Sequence, residues 1–313
     1  MKSESDPQPD FLILGAPKCG TTSVYHYLRQ HPEIYLCPKE THYFICNDPG
    51  YDSVQTRTWK DYSALFRAAR PEQVRGEVAV RYLYSSSAME EIRERLPCIR
   101  LIVCLREPVD RTFSHYLMRF RTGGMTAGDG AVLPTEADVA RFFGNLNHDI
   151  VQWSLYGRYL RPWYEQFSEK QFAVILLDEL QHDPAGTMKQ LFRFLGVDSD
   201  VSVNTSYRYN VSQSADFNPL IVRLKRIQLL RRLRNSRVLR SAARRLVPRS
   251  VRDRMIWRPG KPGDHVCDKV KMPGSVRQRL LDFFAADRDE LTKLISRELT
   301  EWPKAQTSQD VRS

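Results

Sequence analysis

Short apolar runs alternate with helical patterns along the first two thirds of the chain. Such runs are typical of strands in a parallel sheet, which helices cover on both faces. The residues after each run repeat apolar positions at the three- and four-residue spacing of a helix. The runs cover residues 11–14, 99–105 and 172–177, and the helical patterns cover 21–28, 109–121 and 178–195, with Gly196 ending the last. The pattern therefore predicts an α/β protein with a central parallel sheet flanked by helices.

The sequence predicts one domain with a short segment at each end. We expect residues 1–10 to be a disordered leader, 11–302 to form a single domain, and 303–313 to be a polar tail. Within the domain, 122–148 is Gly-rich at its start, and we expect a mobile excursion there. Residues 275–299 are expected to form one or two closing helices.

Composition places the chain among globular proteins. Of its 313 residues, 42% are hydrophobic and 27% charged, which excludes a wholly disordered chain, a collagen-like repeat and a small disulfide scaffold. The first apolar stretch, residues 11–16, is far shorter than the roughly 20 residues that span a bilayer. The leader before it carries two Pro and three acidic residues, unlike a secretory signal. We therefore expect a cytoplasmic protein.

The cysteines do not indicate a metal or redox centre. They form no Cys-x-x-Cys pair and no paired Cys/His ligand spacing. The six are Cys19, Cys37, Cys46, Cys98, Cys104 and Cys267. We expect free thiols and no bound metal.

Positive charge is concentrated in one segment. The net charge is +11, and residues 219–258 hold fourteen Lys and Arg against one Asp, so this segment carries +13 and the rest of the chain −2. Its pattern is helical, with an apolar stripe that would pack on the core or lie on a membrane surface. The segment is either a solvated pair of helices or a contact for an acidic glycan or anionic lipid. Contact with lipid would make the protein membrane-peripheral. No nucleic-acid-reading motif accompanies the charge, so we expect no nucleic acid.

The loop between the first strand and the first helix is suited to phosphate. It consists of Gly15, Ala16, Pro17, Lys18, Cys19 and Gly20, and Thr21, Thr22 and Ser23 open the helix. Backbone N–H groups and the positive end of the helix dipole converge there, and Lys18 adds a full charge. In a Walker A loop Gly directly precedes Lys, whereas here Lys18 comes two residues before Gly20. The alternative is a plain tight turn.

A second candidate site follows the strand at 99–105. Arg106 stands at the carboxyl end of this strand, where α/β proteins bind ligands. Ser114 comes eight residues later, about two helical turns, near enough to share a ligand if the chain bends at Pro108. The alternative is an arginine paired with a nearby acid, and Arg111 is expected only to brace the loop.

Both sites lie in strings that closely resemble signature segments of sulfotransferases that use 3'-phosphoadenosine 5'-phosphosulfate (PAPS). The similarity is greatest to the branch that contains the heparan sulfate sulfotransferases and their bacterial relatives. The strings are Gly15-Ala16-Pro17-Lys18-Cys19-Gly20-Thr21-Thr22-Ser23 and Arg106-x-Pro108-x-x-Arg111-x-x-Ser114-x-Tyr116. Weaker matches, among them Gly76-Glu77 and Tyr156-Gly157, extend the resemblance over roughly 11–302.

The resemblance implies how the donor is held. The loop from Lys18 to Ser23, including Cys19, Gly20, Thr21 and Thr22, would bind the 5'-phosphosulfate. Arg106 and Ser114 would bind the 3'-phosphate. Lys261 is the candidate for a late loop that covers this phosphate.

The resemblance also implies a catalytic base. Glu40-Thr41-His42-Tyr43-Phe44 matches the segment whose Glu is the base in the heparan sulfotransferases, so Glu40 is the leading candidate. His42 is the alternative base, since an unperturbed imidazole transfers protons near neutral pH. His42 could instead be a histidine of the core, with no role in proton transfer. Glu40 could instead be an ordinary ion pair with Lys39 or Arg81. Lys18 would neutralise charge on the leaving phosphate, so no divalent metal is required.

These observations predict a sulfotransferase with a P-loop-like central sheet. It would transfer a sulfuryl group from PAPS to a hydroxyl of a carbohydrate or glycolipid. The heparan-type enzymes often carry Lys after the Glu of the Gly-Glu segment, and Val78 at this position departs from them. Two alternatives share the fold. A nucleotide kinase would need a Walker loop, and a non-catalytic anion- or membrane-binding protein would not need Lys18, Glu40, Arg106 and Ser114 all intact.

Overall fold

A computed structural model describes most of the chain outside the basic segment. The described residues are 6–38, 40–51, 54, 56, 58–122, 124–125, 133–206, 208–209, 259–260 and 270–303. The predictions for the basic segment 219–258 and for Lys261 therefore lie outside the described residues and stay predictions. Within these described ranges no helix is long and apolar enough to cross a membrane.

A five-stranded parallel sheet forms the centre of the fold, as the apolar runs predict. Its strand order is β2-β3-β1-β4-β5, and every neighbouring pair is parallel. The strands are β1 (Phe11–Gly15), β2 (Ile34–Leu36), β3 (Val74–Val78), β4 (Arg100–Leu105) and β5 (Phe172–Leu176). Chain order reverses between β1 and β4, and in α/β sheets a ligand crevice opens at such a reversal.

Close packing between β1 and β3 depends on one glycine. Phe11 pairs with Gly76 in the parallel register, and a Cβ at Gly76 would lie 2.1 Å from Cζ of the Phe11 ring. Real Cβ atoms do not approach this closely, so the ring occupies the space that a side chain would need. Every residue of β1 is buried, which places this contact in the core.

Helices follow the strands as the sequence predicts. The described helices are α1 (Thr21–Leu28), α2 (Trp59–Ala64), α3 (Ser86–Arg95), α4 (Pro108–Arg121), α5 (Glu136–Phe142), α6 (Asp149–Gln152), α7 (Tyr156–Gln166), α8 (Leu177–His182), α9 (Pro184–Leu195) and α10 (Gly274–Leu294). The helical pattern over 178–195 is two helices, because Asp183 ends α8 and caps α9 by accepting a hydrogen bond from the Gly186 N–H at 2.9 Å. Gly196 ends α9 in the left-handed conformation, with φ 73°.

The described chain divides into two compact units. The first contains the described residues of Met1–Pro108, Trp153–Ser206 and Phe284–Lys304 and holds the whole five-stranded sheet. The second contains those of Val109–Gln152 and Tyr207–Phe283. The expectation of a single domain over 11–302 stays a prediction.

The second unit has a small aromatic core. Tyr116 of α4 contacts Phe120, Phe142 and Phe143 at ring-centroid distances between 4.8 and 5.3 Å. Helix α5 lies in the stretch where we expected a mobile excursion, and Thr135 begins it through a reciprocal capping box with Asp138. The prediction for residues 122–148 did not include this helix. In the same unit β6 (Arg208–Tyr209) pairs antiparallel with β7 (Pro259–Gly260).

Candidate active site

The loop after β1 has the backbone geometry that a phosphate loop needs. Lys18 and Gly20 both adopt positive φ, 74° and 84°, and α1 begins at Thr21 directly after them. A Cβ at Gly20 would also lie 2.8 Å from Cδ1 of Leu177. The N–H groups in the first turn of a helix point out of its N-terminal end and attract anions. Thr21, Thr22 and Ser23 are buried at this end.

Arg106 lies at the carboxyl end of β4, beside the loop-bearing strand. Strands β1 and β4 are neighbours in the sheet, and the Ala16 N–H donates a hydrogen bond to the Cys104 carbonyl at 2.8 Å. Arg106 is half-buried, directly after Leu105. The two predicted donor-binding positions, Lys18 and Arg106, therefore follow adjacent strands at the reversal in chain order.

Tyr156 contacts both of these segments. Its hydroxyl donates a hydrogen bond to the Arg106 carbonyl at 3.0 Å and lies 3.5 Å from Sγ of Cys19. Its side chain is fully buried at the start of α7. The sequence marks Tyr156 only through a weak family match, and its position between the two loops is visible only in the fold.

Glu40 and His42 lie next to the carboxyl end of β3. The Glu40 N–H donates to the Val78 carbonyl at 2.9 Å. Both residues have left-handed backbone, with φ 59° for Glu40 and 58° for His42. Oε2 of Glu40 lies 3.8 Å from Nε2 of His42, and the side chains are 36% and 24% exposed. The structure thus brings the two candidate bases together and leaves both reachable from solvent.

A buried carboxylate holds the residue between them. Glu77 of β3 is fully buried and accepts hydrogen bonds from the hydroxyls of Thr41, Tyr62 and Tyr82 at 2.5, 2.7 and 3.1 Å. The Thr41 N–H donates to the same carboxylate at 3.2 Å. Burial raises the pKa of Glu77, and these hydrogen bonds oppose the rise. Sequence reasoning assigned Glu77 no role, because an isolated Glu gives no sign that it is buried.

The surroundings of His42 favour its neutral form. Burial lowers its pKa, the neighbouring Glu40 acts in the opposite direction, and the positive charge of Arg81 lowers it further. Its Nδ1 is buried and has no hydrogen-bond partner among the residues that the structure describes. A neutral imidazole can accept a proton, so His42 remains chemically competent as the alternative base.

Ser114 lies in the second unit, on α4. Its side chain is buried, and its predicted sharing of one ligand with Arg106 stays a prediction. Arg111, on the same helix, is fully buried; its Nη2 lies 2.7 Å from Nδ1 of His115 and donates to the Ile150 carbonyl at 3.1 Å. These contacts are those of a bracing residue. Across the described ranges, no group of His, Cys, Asp and Glu could hold a metal ion.

Comparison with known proteins extends the match beyond these motifs. Residues 8–218 match the family model of the sulfotransferase domain. Carbohydrate sulfotransferase 15 of Mus musculus is 29% identical over 248 residues, which covers 60% of this chain and 44% of that protein. Heparan sulfate glucosamine 3-O-sulfotransferase 3B1 of Mus musculus is 26% identical over 204 residues, covering 60% and 46%. The chain spans about half the length of the curated relatives it matches.

A solved structure is similar over nearly the whole chain. The crystal structure of a sulfotransferase from Alicyclobacillus acidocaldarius has 25% sequence identity and a TM-score of 0.63. The similarity covers 94% of this chain and 98% of that one. The two proteins therefore share a fold.

Proposed function

The chain belongs to the sulfotransferase domain family, and from that membership we propose that it transfers a sulfuryl group from PAPS to a hydroxyl of a carbohydrate or glycolipid acceptor. The names of its relatives, a carbohydrate sulfotransferase and a heparan sulfate glucosamine sulfotransferase, support the carbohydrate class. One arrangement carries the proposal. Lys18 and Arg106 follow adjacent parallel strands, and Glu40 is hydrogen-bonded to the end of β3, on the other side of β1.

The loop after β1 supplies the groups for the donor's 5'-phosphosulfate. The first turn of α1 presents N–H groups and the positive end of the helix dipole, and Lys18 adds a full positive charge. Arg106 supplies a fork of N–H donors for the 3'-phosphate. For the same phosphate we propose Ser114 and Lys261 from the sequence resemblance alone.

Glu40 is the proposed general base. The acceptor oxygen attacks sulfur, a new O–S bond forms, and the bond between sulfur and the 5'-phosphate oxygen breaks. The acceptor's hydroxyl proton passes to the Glu40 carboxylate, and Lys18 stabilises the negative charge that develops on the leaving phosphate. His42, 3.8 Å from Glu40, is the alternative base for this proton.

Two measurements test the proposal. Calorimetry should show that 3'-phosphoadenosine 5'-phosphate (PAP) binds at least tenfold more tightly than AMP, because a charge-assisted contact to the 3'-phosphate is worth about 1.5–3 kcal/mol. Equal affinities for PAP and AMP would contradict the proposal that Arg106 binds the 3'-phosphate. Incubation with radiolabelled PAPS and a panel of hydroxyl-bearing glycans and glycolipids should transfer label to at least one acceptor. Transfer to none of them would overturn the assigned activity.

A further inference from the structure

An arginine beside the candidate bases is held by aromatic rings and not by a carboxylate. Cζ of Arg81 lies 4.7 Å from the ring centroid of Trp153 and 5.9 Å from that of Tyr51. Arg81 is half-buried. Within the part of the chain that the structure describes, its guanidinium makes no ion pair and no hydrogen bond. Stacking on aromatic rings is a common way to hold an arginine, and it leaves the full charge of the guanidinium available to an anion.

The rings fix the position of this charge. Trp153 stacks on Tyr84 with ring centroids 5.0 Å apart and planes 20° apart, and the Tyr84 hydroxyl donates to the Trp153 carbonyl at 3.0 Å. Trp153 is thus a rigid support for Arg81. Stacking engages the flat faces of a guanidinium, whereas its five N–H donors lie in its plane. Those donors keep the fork geometry that suits a carboxylate or sulfate oxygen pair.

Arg81 and the candidate bases flank the same tyrosine. The rings of His42 and Tyr51 lie 5.4 Å apart, and Arg81 approaches Tyr51 within 5.9 Å. Glu40 reaches His42 at 3.8 Å. Pairwise contacts therefore connect the candidate bases, through Tyr51, to the cation of Arg81.

From this juxtaposition we propose that Arg81 is a specificity-determining residue, which binds an anionic group of the acceptor near the hydroxyl that receives sulfate. The inference rests on the proposed function and narrows its acceptor class to acidic glycans. The anion is a carboxylate or a sulfate ester, each of which offers a pair of oxygens that a guanidinium can bind through two N–H groups. A neutral sugar would leave the charge of Arg81 without a partner in a half-buried site, which costs binding energy.

Binding of matched oligosaccharides distinguishes these possibilities. The probes are chondroitin hexasaccharide, which carries carboxylates, its carboxyl-reduced form, which carries no anion, and the carboxyl-reduced form of chondroitin sulfate, which carries only sulfate. Their dissociation constants are measured by calorimetry on the full chain saturated with PAP. We expect the wild-type protein to bind at least one anionic probe about 10- to 100-fold more tightly than the neutral one, the factor of a charge-assisted hydrogen bond. Whether the carboxylate or the sulfate probe binds more tightly identifies the anion.

Variants assign that preference to Arg81. Arg81→Gln should remove the preference while leaving the dissociation constant for PAP unchanged, and Arg81→Lys should retain only part of it, because an ammonium lacks the fork. Arg95→Gln is the matched control, since Arg95 also stacks on a tryptophan, Trp59 at 5.2 Å, but pairs with Glu91 at 2.8 Å. It should bind all three probes as the wild type does.

Two results would overturn the inference. One is a wild-type protein that binds none of the anionic probes more tightly than the neutral probe; the other is an Arg81→Gln variant that keeps the full preference. Both differ from failure of the proposed function, which would appear as weak PAP binding or as no transfer of label to any acceptor. If Arg81→Gln does not fold, which loss of PAP binding would reveal, the Arg81→Lys comparison decides.

Discussion

The hydroxyl of Thr41 donates a hydrogen bond to the buried carboxylate of Glu77 at 2.5 Å, and the Thr41 N–H donates to the same carboxylate at 3.2 Å. Thr41 stands between the two candidate bases, so this pair fixes the backbone that carries both. We infer that Glu77 is a positioning residue, which acts on the candidate base Glu40 through Thr41. Because the carboxylate belongs to β3, the backbone that carries Glu40 is tied to the central sheet.

Thr41→Val should lower turnover more than it lowers donor binding. The change leaves a buried carboxylate with one donor fewer, which costs about 1–3 kcal/mol of stability. We expect kcat to fall while the dissociation constant for PAP stays within twofold. Thr41→Ser keeps the hydroxyl and should restore kcat. If the Ser variant were as slow as the Val variant, the hydrogen bond to Glu77 would not be what positions Glu40.

Glu77 should make the stability of the protein fall as the pH rises. Its pKa is raised in the folded state by burial, so folding disfavours its ionised form relative to the unfolded chain. That contribution is fully present below the unfolded pKa of about 4.3 and is lost as the pH rises through the folded pKa. Urea unfolding of the wild type and Glu77→Gln between pH 4 and 9 isolates it, because all other groups are shared. The stability difference, wild type minus variant, should decline with pH; a difference that grows with pH would contradict the raised pKa.

Glu40→Gln should abolish turnover and spare the donor site. The amide has nearly the shape of the carboxylate but cannot take a proton, and general base catalysis contributes about 10²- to 10⁴-fold. We expect kcat to drop by that factor, with PAP affinity unchanged in calorimetry. Glu91→Gln is a suitable control, since Glu91 accepts a hydrogen bond from Tyr43 at 3.1 Å in the same unit. A near wild-type rate in Glu40→Gln would show that Glu40 is not the base, and His42→Ala would then test the alternative.

Tyr156→Phe should weaken donor binding by loosening two loops at once. The variant loses the hydrogen bond to the Arg106 carbonyl and the contact with Cys19. One neutral hydrogen bond is worth about 0.5–1.5 kcal/mol, so PAP should bind about two- to tenfold more weakly. Tyr164→Phe is the matched control, because Tyr164 stacks on Phe172 at 4.2 Å and its hydroxyl makes no hydrogen bond to any residue that the structure describes. Equal PAP affinity in both variants would mean that Tyr156 does not support the site.

Three of the five strands were predictable from sequence, and two were not. Strands β1, β4 and β5 are apolar runs, and β1 and β4 are buried along nearly their whole length. Edge strand β5 is equally apolar, although its first three residues are only half-buried. Strand β2, Ile34–Leu36, has only three residues, and β3 has the sequence Val-Arg-Gly-Glu-Val. A strand with Arg, Gly and Glu shows no apolar run, and only its parallel register beside β1 reveals it. Helix α5 was also missed, although its capping box of Thr135 and Asp138 was visible in the sequence.

Only part of the candidate site was predictable from the sequence. The loop at Lys18 could be recognised because a strand, a glycine-containing turn and a helix follow one another directly. The hydrogen bonds around Glu77 could not be predicted. Glu77, Tyr62 and Tyr82 lie at least five residues apart along the chain and come together only in the fold. Burial of a single carboxylate is a property of the folded neighbourhood, and no local pattern encodes it.

The left-handed backbone at Lys18, Glu40 and His42 has a consequence for anyone who selects this protein for heat resistance. An L-residue in that conformation costs about 1 kcal/mol, and glycine relieves the cost. Glycine at any of these positions is therefore a stabilising substitution on backbone grounds, and at each it deletes a side chain proposed for donor binding or proton transfer. Libraries screened for melting temperature alone would accumulate these replacements and yield robust, inactive proteins. Screening on retained PAP binding and turnover together would keep the three residues in place.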